Sequence, residues 1–504
     1  MPIFRPLLRF GAVLALLVVA ACDTTGAPDP ISGIPTGPFD PPIPVDPPVD
    51  PPPPDPDPSP DPGPPADPPA AGTAWIPPTP PAYPLATSGR TLVDADGVPV
   101  LLHGDAAWSA IANLTREEQE RYLADRRRKG VNAIMTNLIE KAFTDNDPGW
   151  RNAYGEEPFA SRIDDGYFMD FSVPNEAYWQ RVDAFLDRAE AEGILVVAFP
   201  AYLGWQQGED GWSSFLHVNG PDRLRAYGAF LGARYVDQPN LIWAAGGDWG
   251  PIGRYDLVDE VAALVEGIRS EDTVHLWTAH GGQQSAVEVY GDLDLDLNTT
   301  YRYPPTSVPE AVYLDYTRAP TTPFVFFEGW YENEWGVSVE RLRFQAYAAL
   351  LGGAGGQFYG NNPVWKFGDG WEAALDDPGA LDMVHVGDLM RSRPFARRVP
   401  DDARETVPPG RGDRRDGSYL AAARTDDGST VIAYAPTARP IDVAMDRVAG
   451  TEAQAWCFDP QTGRSTDLGR VPTSGRQTFE PCVDADWVLV LDDASLGLSP
   501  PGQP

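Results

Sequence analysis

Residues 323–336 read PFVFFEGWYENEWG. After Pro323 come four apolar positions with no polar residue among them, the pattern of a strand buried on both faces. The run ends in a carboxylate, Glu328, followed closely by Trp330, Tyr331 and Trp335. Parallel strands closed into a barrel gather the residues at their C-terminal ends around one mouth, and chemistry sits there. An acid and three aromatics at one strand end therefore raise the question of seven companion strands.

The companions are legible between residues 98 and 360. Apolar runs occur at VPVLLHGD (98–105), NAIMTN (132–137), ILVVAFPAY (194–202), NLIWAAGGD (240–248), VHLWTAH (274–280), LDLNTTY (295–301) and GGQFYG (355–360). Amphipathic stretches fall between them, at 115–130, 175–192, 221–236, 255–270, 308–318, 337–351 and 377–392. The first has a capping box, Thr115 with Glu118, and stops at Gly130; Asn175 caps the second. Eight strand–helix units over about 300 residues predict an α/β fold, a (β/α)8 TIM barrel. A doubly wound sheet competes, but no glycine-rich phosphate loop supports it.

Beyond about residue 396 the helical period disappears. SYLAAART, STVIAYAP, AQAWCFDP and DWVLVLDD are short strands separated by turn signals, which predicts a C-terminal all-β sandwich. The N-terminus has a different character. Arg5 and Arg9 precede an apolar run over residues 10–21, too short for a stable membrane anchor, which closes on LLVVAAC. This is the layout of a secretory signal peptide, and its end resembles a bacterial lipobox with Cys22 as the lipidated residue. With Cys22 so used, Cys457 and Cys482 remain, and an exported chain predicts a disulfide between them. Residues 28–84 hold 26 of the 55 prolines, interspersed with Asp, and predict an extended polyproline spacer. The expected organisation is signal peptide and lipobox 1–22, disordered linker 23–84, barrel 85–395, β-sandwich 396–495 and disordered tail 496–504. The expected location is a bacterial cell envelope or cell surface, with membrane contact through the lipid alone and the protein a monomer.

Net charge is −35, and about −28 of it lies beyond residue 84. So acidic a surface repels phosphate backbones and excludes nucleic acid as a partner. Five histidines without metal-ligand spacing argue against a zinc site, and no G-x-S-x-G elbow argues for a serine esterase. No metal and no cofactor are expected. The polar residues ending the eight strands are Asp105 (with Trp108 beyond), Asn137, Tyr202, Asp248 (then Trp249), His280, Tyr301, Glu328 (then Trp330, Tyr331 and Glu332) and Tyr359. Acids and aromatics suit sugars: rings stack on pyranose or furanose faces, and two carboxyl groups cleave the bond between sugars.

Asp248 and Glu328 are the natural catalytic pair, on strand ends four and seven. Asp248 is otherwise a turn residue and Glu328 a rim ion-pair member. Glu332 rivals Glu328 as nucleophile but reads better as a hydroxyl binder. Asp105 reads equally as a loop anchor or a substrate contact. Trp108, Asn137, Trp249, His280, Tyr301, Trp330, Tyr331 and Tyr359 complete the expected substrate-binding set.

LLHGDAAW followed by LTREEQERYLADRRRKGVNAI resembles the opening of the apiosidase-like glycoside hydrolases. The resemblance continues through NLIWAAGGD, PFVFFEGWYEN, GGAGGQFYGNNPVW and LMRSRPFARRVPDD, and WCFDPQTGR resembles a turn of the collagen-binding β-domain that often follows such barrels. It spans roughly residues 85–493. It implies a retaining glycosidase acting on an oligo- or polysaccharide of plant or microbial origin, with Asp248 as acid/base, Glu328 as nucleophile and Tyr301 hydrogen-bonded to the nucleophile. Gly329-Trp330 replaces the family's usual proline, and the segment 138–174 is an unusual insert, so the sugar is not carried over. A surface carbohydrate-binding lipoprotein that has lost catalysis is the alternative, and an adhesion module built on the β-domain a third reading.

Overall fold

In the computed structural model, residues 78–144, 148–408, 410 and 412–503 are described. The signal peptide, Cys22 and nearly all of the proline-rich spacer lie outside the described residues.

Eight parallel strands form one sheet: β1 (Leu102–Ala106), β2 (Ala133–Asn137), β3 (Leu195–Phe199), β4 (Leu241–Gly246), β5 (Trp277–His280), β6 (Asn298–Tyr301), β7 (Phe324–Glu328) and β8 (Gly356–Tyr359). Their order is β5-β4-β3-β2-β1-β8-β7-β6, so the sheet curls until β5 approaches β6. That seam is held partly by hydroxyls. The Thr278 Oγ1 donates to the Leu297 carbonyl at 2.7 Å, and Thr299 Oγ1 to the Ala279 carbonyl at 2.5 Å. Backbone N–H groups of Asp296 and Leu297 reach the Trp277 carbonyl across it.

Seven helices of ten residues or more cover the barrel: α1 (Arg116–Arg128), α2 (Glu176–Ala191), α3 (Ser213–Tyr235), α4 (Val258–Glu271), α5 (Val308–Thr317), α6 (Val339–Leu351) and α7 (Pro378–Arg391). The predicted capping box of α1 is formed, and Asn175 caps α2. One strand–helix unit is incomplete. Between β5 and β6 run only the α-turn Ala286–Val289 and the 3-10 turn Gly291–Leu293, because the segment is short and rich in Gly and Asp. Strand parity sorts the core. Leu102, Ala133, Val197, Ile242, Val325 and Phe327 face the barrel axis, whereas Ile134, Trp243, Phe324 and Phe326 pack under the helices. Truncating such a ring, Phe327→Ala for instance, costs about 3–5 kcal/mol in buried surface and cavity.

The C-terminal strands are β9 (Arg398–Pro400), β10 (Ala421–Thr425), β11 (Thr430–Ala435), β12 (Ile441–Ala444), β13 (Glu452–Asp459), β14 (Arg464–Pro472), β15 (Arg476–Phe479) and β16 (Trp487–Asp493). Six form an antiparallel sheet, β9-β10-β11-β16-β13-β14, and β12 pairs with β15. Alternate residues of the central strands serve two cores. Ile432, Tyr434, Val488 and Val490 pack on α6 and α7, and Tyr347 stacks on Tyr434 with ring centroids 4.5 Å apart. Val431, Ala433, Leu489 and Leu491 face the β12–β15 ribbon. The sandwich therefore has the barrel itself as a third layer. Arg343 of α6 reaches Asp486 and Asp382 through buried ion pairs, and Arg393 reaches Asp492. The expected disulfide Cys457–Cys482 is present. The tail expected to be disordered is instead pinned: Arg393 donates to the Ser499 carbonyl, Ser465 to the Pro501 carbonyl, and Gly502 N–H to Ser392. The Ser499 carbonyl takes one of the Arg393 Nη2 bonds, and the contacts of Pro501 and Gly502 hold the residues that follow.

Candidate active site

Glu328 does not face the mouth by simple alternation. Phe324 and Phe326 face outward, and a regular strand would send Glu328 the same way. The pairing of β7 with β6 slips at this point: Phe326 lies opposite Thr300, but Glu328 lies opposite Tyr301. One extra residue on β7 re-aims the side chain, as bulges beside active sites do. The carboxyl then meets two donors. Tyr303 Oη donates to Oε1 at 2.8 Å, and His280 Nε2 lies 2.8 Å from Oε2.

Asp248 reaches the same place through three successive residues with positive φ: Gly246 (89°), Gly247 (113°) and Asp248 itself (49°). A Cβ on Gly246 would stand 2.3 Å from the His280 carbonyl oxygen, and one on Gly247 2.2 Å from the Tyr202 ring. Only glycine lets the chain leave β4 so close to its neighbours. A non-glycine residue held in the left-handed region marks strain of the kind stored at functional sites. Tyr202 Oη donates to Asp248 Oδ2 at 2.6 Å, while Asp248 Oδ1 is buried with no hydrogen-bond partner.

His280 joins the two acids. The Asp248 backbone N–H donates to its Nδ1 at 2.9 Å. With Nδ1 accepting, Nε2 carries the proton and donates to Glu328. Burial holds the imidazole down at about 4, so it is neutral. An oxygen of Asp248, a ring nitrogen of His280 and an oxygen of Glu328 lie within 4.8 Å of one another. That grouping suits a metal in number only, because both ring nitrogens are already committed. Burial pushes the carboxyls of both Asp248 and Glu328 well above the usual range, and the charge of Glu328 raises Asp248 further. Like-charged acids this close hold a shared proton near neutrality. Hydrogen bonds to a carboxylate favour its ionised form. Glu328 has two such donors and Asp248 one, which works against the stronger effect of burial on Glu328, raised to about 8 against about 7 for Asp248. The pair shares one proton, and the reactive arrangement is the one that leaves the charge on Glu328.

Both acids line a cavity of about 570 Å³. Of the expected site residues, Trp108, Asn137, Tyr301 and Tyr331 also line it. Trp108 Nε1 donates to Tyr331 Oη at 3.0 Å, which fixes both rings.

The others stand elsewhere. Asp105 shares the outward face of β1 with His103 and is buried under α1, accepting from Tyr122 Oη and Arg126 Nε at 2.6 Å each. It is an internal ion pair, not a substrate contact. Tyr359 is likewise outward on β8 and donates to Glu332, which also accepts from the Gly379 N–H at the start of α7. Both therefore tie β8 to α7. His280 is fully buried behind the acids. The Trp330 backbone is clamped by Gln345, and its ring does not line the cavity. Trp249 packs edge-on against Trp205, which is itself on the rim.

Trp335, noted beside Glu328 in the sequence, also lines the cavity. Several lining residues were not anticipated: Phe143, Trp205, Asp210, Gln283, Tyr303, Glu334 and Trp365. All lie in loops past strand ends. The aromatic richness of FEGWYENEW was the available signal for Glu334.

The architecture is that of a glycoside hydrolase barrel with an appended β-domain, and comparison with known proteins agrees. The apiosidase-like catalytic domain family matches residues 86–397, and the family described as "putative collagen-binding domain of a collagenase" matches residues 410–492. A solved glycoside hydrolase superposes with a TM-score of 0.70 at 25% identity, over 82% of this chain and 97% of that one. A glycoside hydrolase family 5 structure from Bacteroides vulgatus gives a TM-score of 0.71 at 23% identity, over 82% and 94%. No curated protein matches the chain. The chain belongs to the apiosidase-like glycoside hydrolase family and is an enzyme of the glycosidase class.

Proposed function

We propose that the cavity cleaves a glycosidic bond with retention of configuration. The observation that carries this reading is the approach of the two carboxyls to within 4.8 Å. Retaining enzymes hold their acids about 5–5.5 Å apart, whereas inverting ones leave about 6.5–9.5 Å for a water. Ionised Glu328 attacks the anomeric carbon. Protonated Asp248 donates to the departing oxygen, and a covalent glycosyl ester forms on Glu328. Asp248, now ionised, takes a proton from water as that water attacks the same carbon; the sugar leaves and Glu328 regains its charge. Tyr303 and His280 steady the nucleophile, and the unpartnered Asp248 Oδ1 is free to meet the leaving oxygen.

The substrate in this reading is an oligo- or polysaccharide of plant or microbial origin. The β-domain serves as a buttress, since one face of its main sheet is spent on α6 and α7. Export and lipid anchoring through Cys22 belong to the same proposal, resting on the N-terminal sequence, with the disulfide consistent with an oxidising compartment. Metabolic labelling with a radiolabelled fatty acid tests the anchor: label is expected on the wild type and absent from Cys22→Ser.

The activity is tested by incubating the full chain with defined oligosaccharides and following new reducing ends. Glu328→Gln is expected to lose about four orders of magnitude in kcat, the scale seen when a covalent nucleophile is removed. Turnover that survives this change refutes the assignment. Glycan binding by the wild type without any turnover marks the inactive binding protein instead.

A further inference from the structure

The cavity's polar atoms are unusually one-sided. Its lining holds four acids, Asp210, Asp248, Glu328 and Glu334, and among the described residues no Lys, Arg or His. Two cations neighbour lining residues without joining them: Arg302 donates to the Gln283 carbonyl, and Lys366 sits over the Trp365 ring. Among the lining residues the buried, unpartnered polar atoms are both oxygens, Asp248 Oδ1 and Asn137 Oδ1; Arg302 Nε, behind the lining, is likewise buried without a partner. The second is an acceptor by construction. Asn137 Nδ2 donates to Glu140 Oε2 at 3.2 Å, and Glu140 also accepts from Ser109 Oγ and the Lys141 N–H, so the amide oxygen is the end left for a ligand. Several would-be donors are already spent: Trp108 Nε1 on Tyr331, Trp365 Nε1 on Glu334, and the Tyr202 and Tyr303 hydroxyls on the two central acids.

A ligand here must bring donors and apolar ring faces, and must not bring negative charge. A carboxylate or sulfate on the bound sugar would find no cation in the lining to offset its lost hydration and would be repelled by the ionised acids there. We infer that the sugar cleaved from this site is neutral, and that Asp210 and Glu334 are specificity-determining residues that reject uronic acids and sulfated sugars. Asn137 takes a hydroxyl of that neutral ring, with Glu140 as its positioning residue. This inference rests on the glycosidase reading above and deepens it by naming the substrate class.

The test uses the full chain in H₂¹⁸O. The probes are a plant cell-wall polysaccharide extract and the same extract after carbodiimide–borohydride reduction, which turns its uronic acids into neutral sugars. Water adds to the anomeric carbon of the sugar held in the site, so mass spectrometry of the products identifies that sugar by its label. Label is expected on neutral sugars only, and reduction is expected to leave the rate unchanged or to raise it. In the double variant Asp210→Asn, Glu334→Gln labelled uronate is expected to appear, about ten-fold above the wild-type background. Label on a uronate in the wild type, or activity lost on reduction, overturns the inference alone. Absence of label on every sugar overturns the glycosidase reading itself, and this inference with it.

Discussion

The hydrogen bond from Tyr303 to Glu328 gives the sharpest handle on the site. Tyr303→Phe removes one oxygen and keeps the ring, so packing against Tyr301 survives. Burial and the Glu328 charge hold the Tyr303 hydroxyl far above its usual pKa, so it stays protonated and donates throughout the working range. A hydrogen bond to a charged group contributes about 1.5–3 kcal/mol, and one pKa unit corresponds to about 1.36 kcal/mol. Losing the donor therefore raises the Glu328 pKa by about 1–2 units.

The direction follows from the chemistry. The attacking form is the carboxylate, so kcat/KM rises with pH as Glu328 ionises, and a raised pKa moves that acid limb toward alkali. At a fixed pH below the wild-type limb, activity falls about 10–100-fold, while the high-pH plateau falls less. The assay is kcat/KM on one oligosaccharide across the pH range, with a thermal melt alongside. A limb that stays in place, or moves toward acid, refutes the idea that Tyr303 stabilises the ionised nucleophile, even if activity drops.

Glu328→Gln should stabilise the fold at neutral pH by about 2 kcal/mol, the usual scale of a relieved functional strain. The sign is set by linkage: the two buried carboxyls share one proton in the native state, whereas the unfolded chain ionises both, so stability is lost as pH rises above the unfolded values of about 3.9 and 4.3. Urea denaturation at two pH values checks this, and equal stability of variant and wild type at neutral pH speaks against it. Asp105→Asn leaves buried Arg126 with Asp125 as its remaining ion-pair partner and should cost about 3 kcal/mol, with KM unchanged at a temperature where the variant is folded; a raised KM restores Asp105 to the substrate contacts. Arg343→Met strands Asp486 and Asp382 at the barrel–β-domain boundary and should cost about 3–5 kcal/mol in the same assay, and a neutral outcome denies that these ion pairs fasten the two layers.

What the residues disclosed in advance has a physical pattern. Strands buried on both faces announce themselves as apolar runs, so all eight barrel strands and the acids at two of their ends were legible. Which way a strand-end residue points was not. Asp105 and Tyr359 follow the parity of β1 and β8 outward, whereas Asn137 follows that of β2 inward, and one residue of register separates the two outcomes. Glu328 was placed at the mouth for an incomplete reason, since its orientation depends on a bulge that no periodicity announces. Tyr303 escaped notice because it lies in the loop two residues past β6, where Tyr301 at the strand end had the stronger claim. His280 was expected at the site, but its task of orienting both acids emerges only from the two hydrogen bonds of its ring.

The pairing of Asp248 with Glu328 across one cavity is tested most directly by the stereochemistry of turnover. Proton NMR of the reaction in its first minutes shows which anomer of the released sugar forms before mutarotation mixes them. Release with the substrate's own anomeric configuration is predicted, because carboxyls this close leave room for a covalent ester and none for a waiting water. Release of the opposite anomer contradicts the account at its centre.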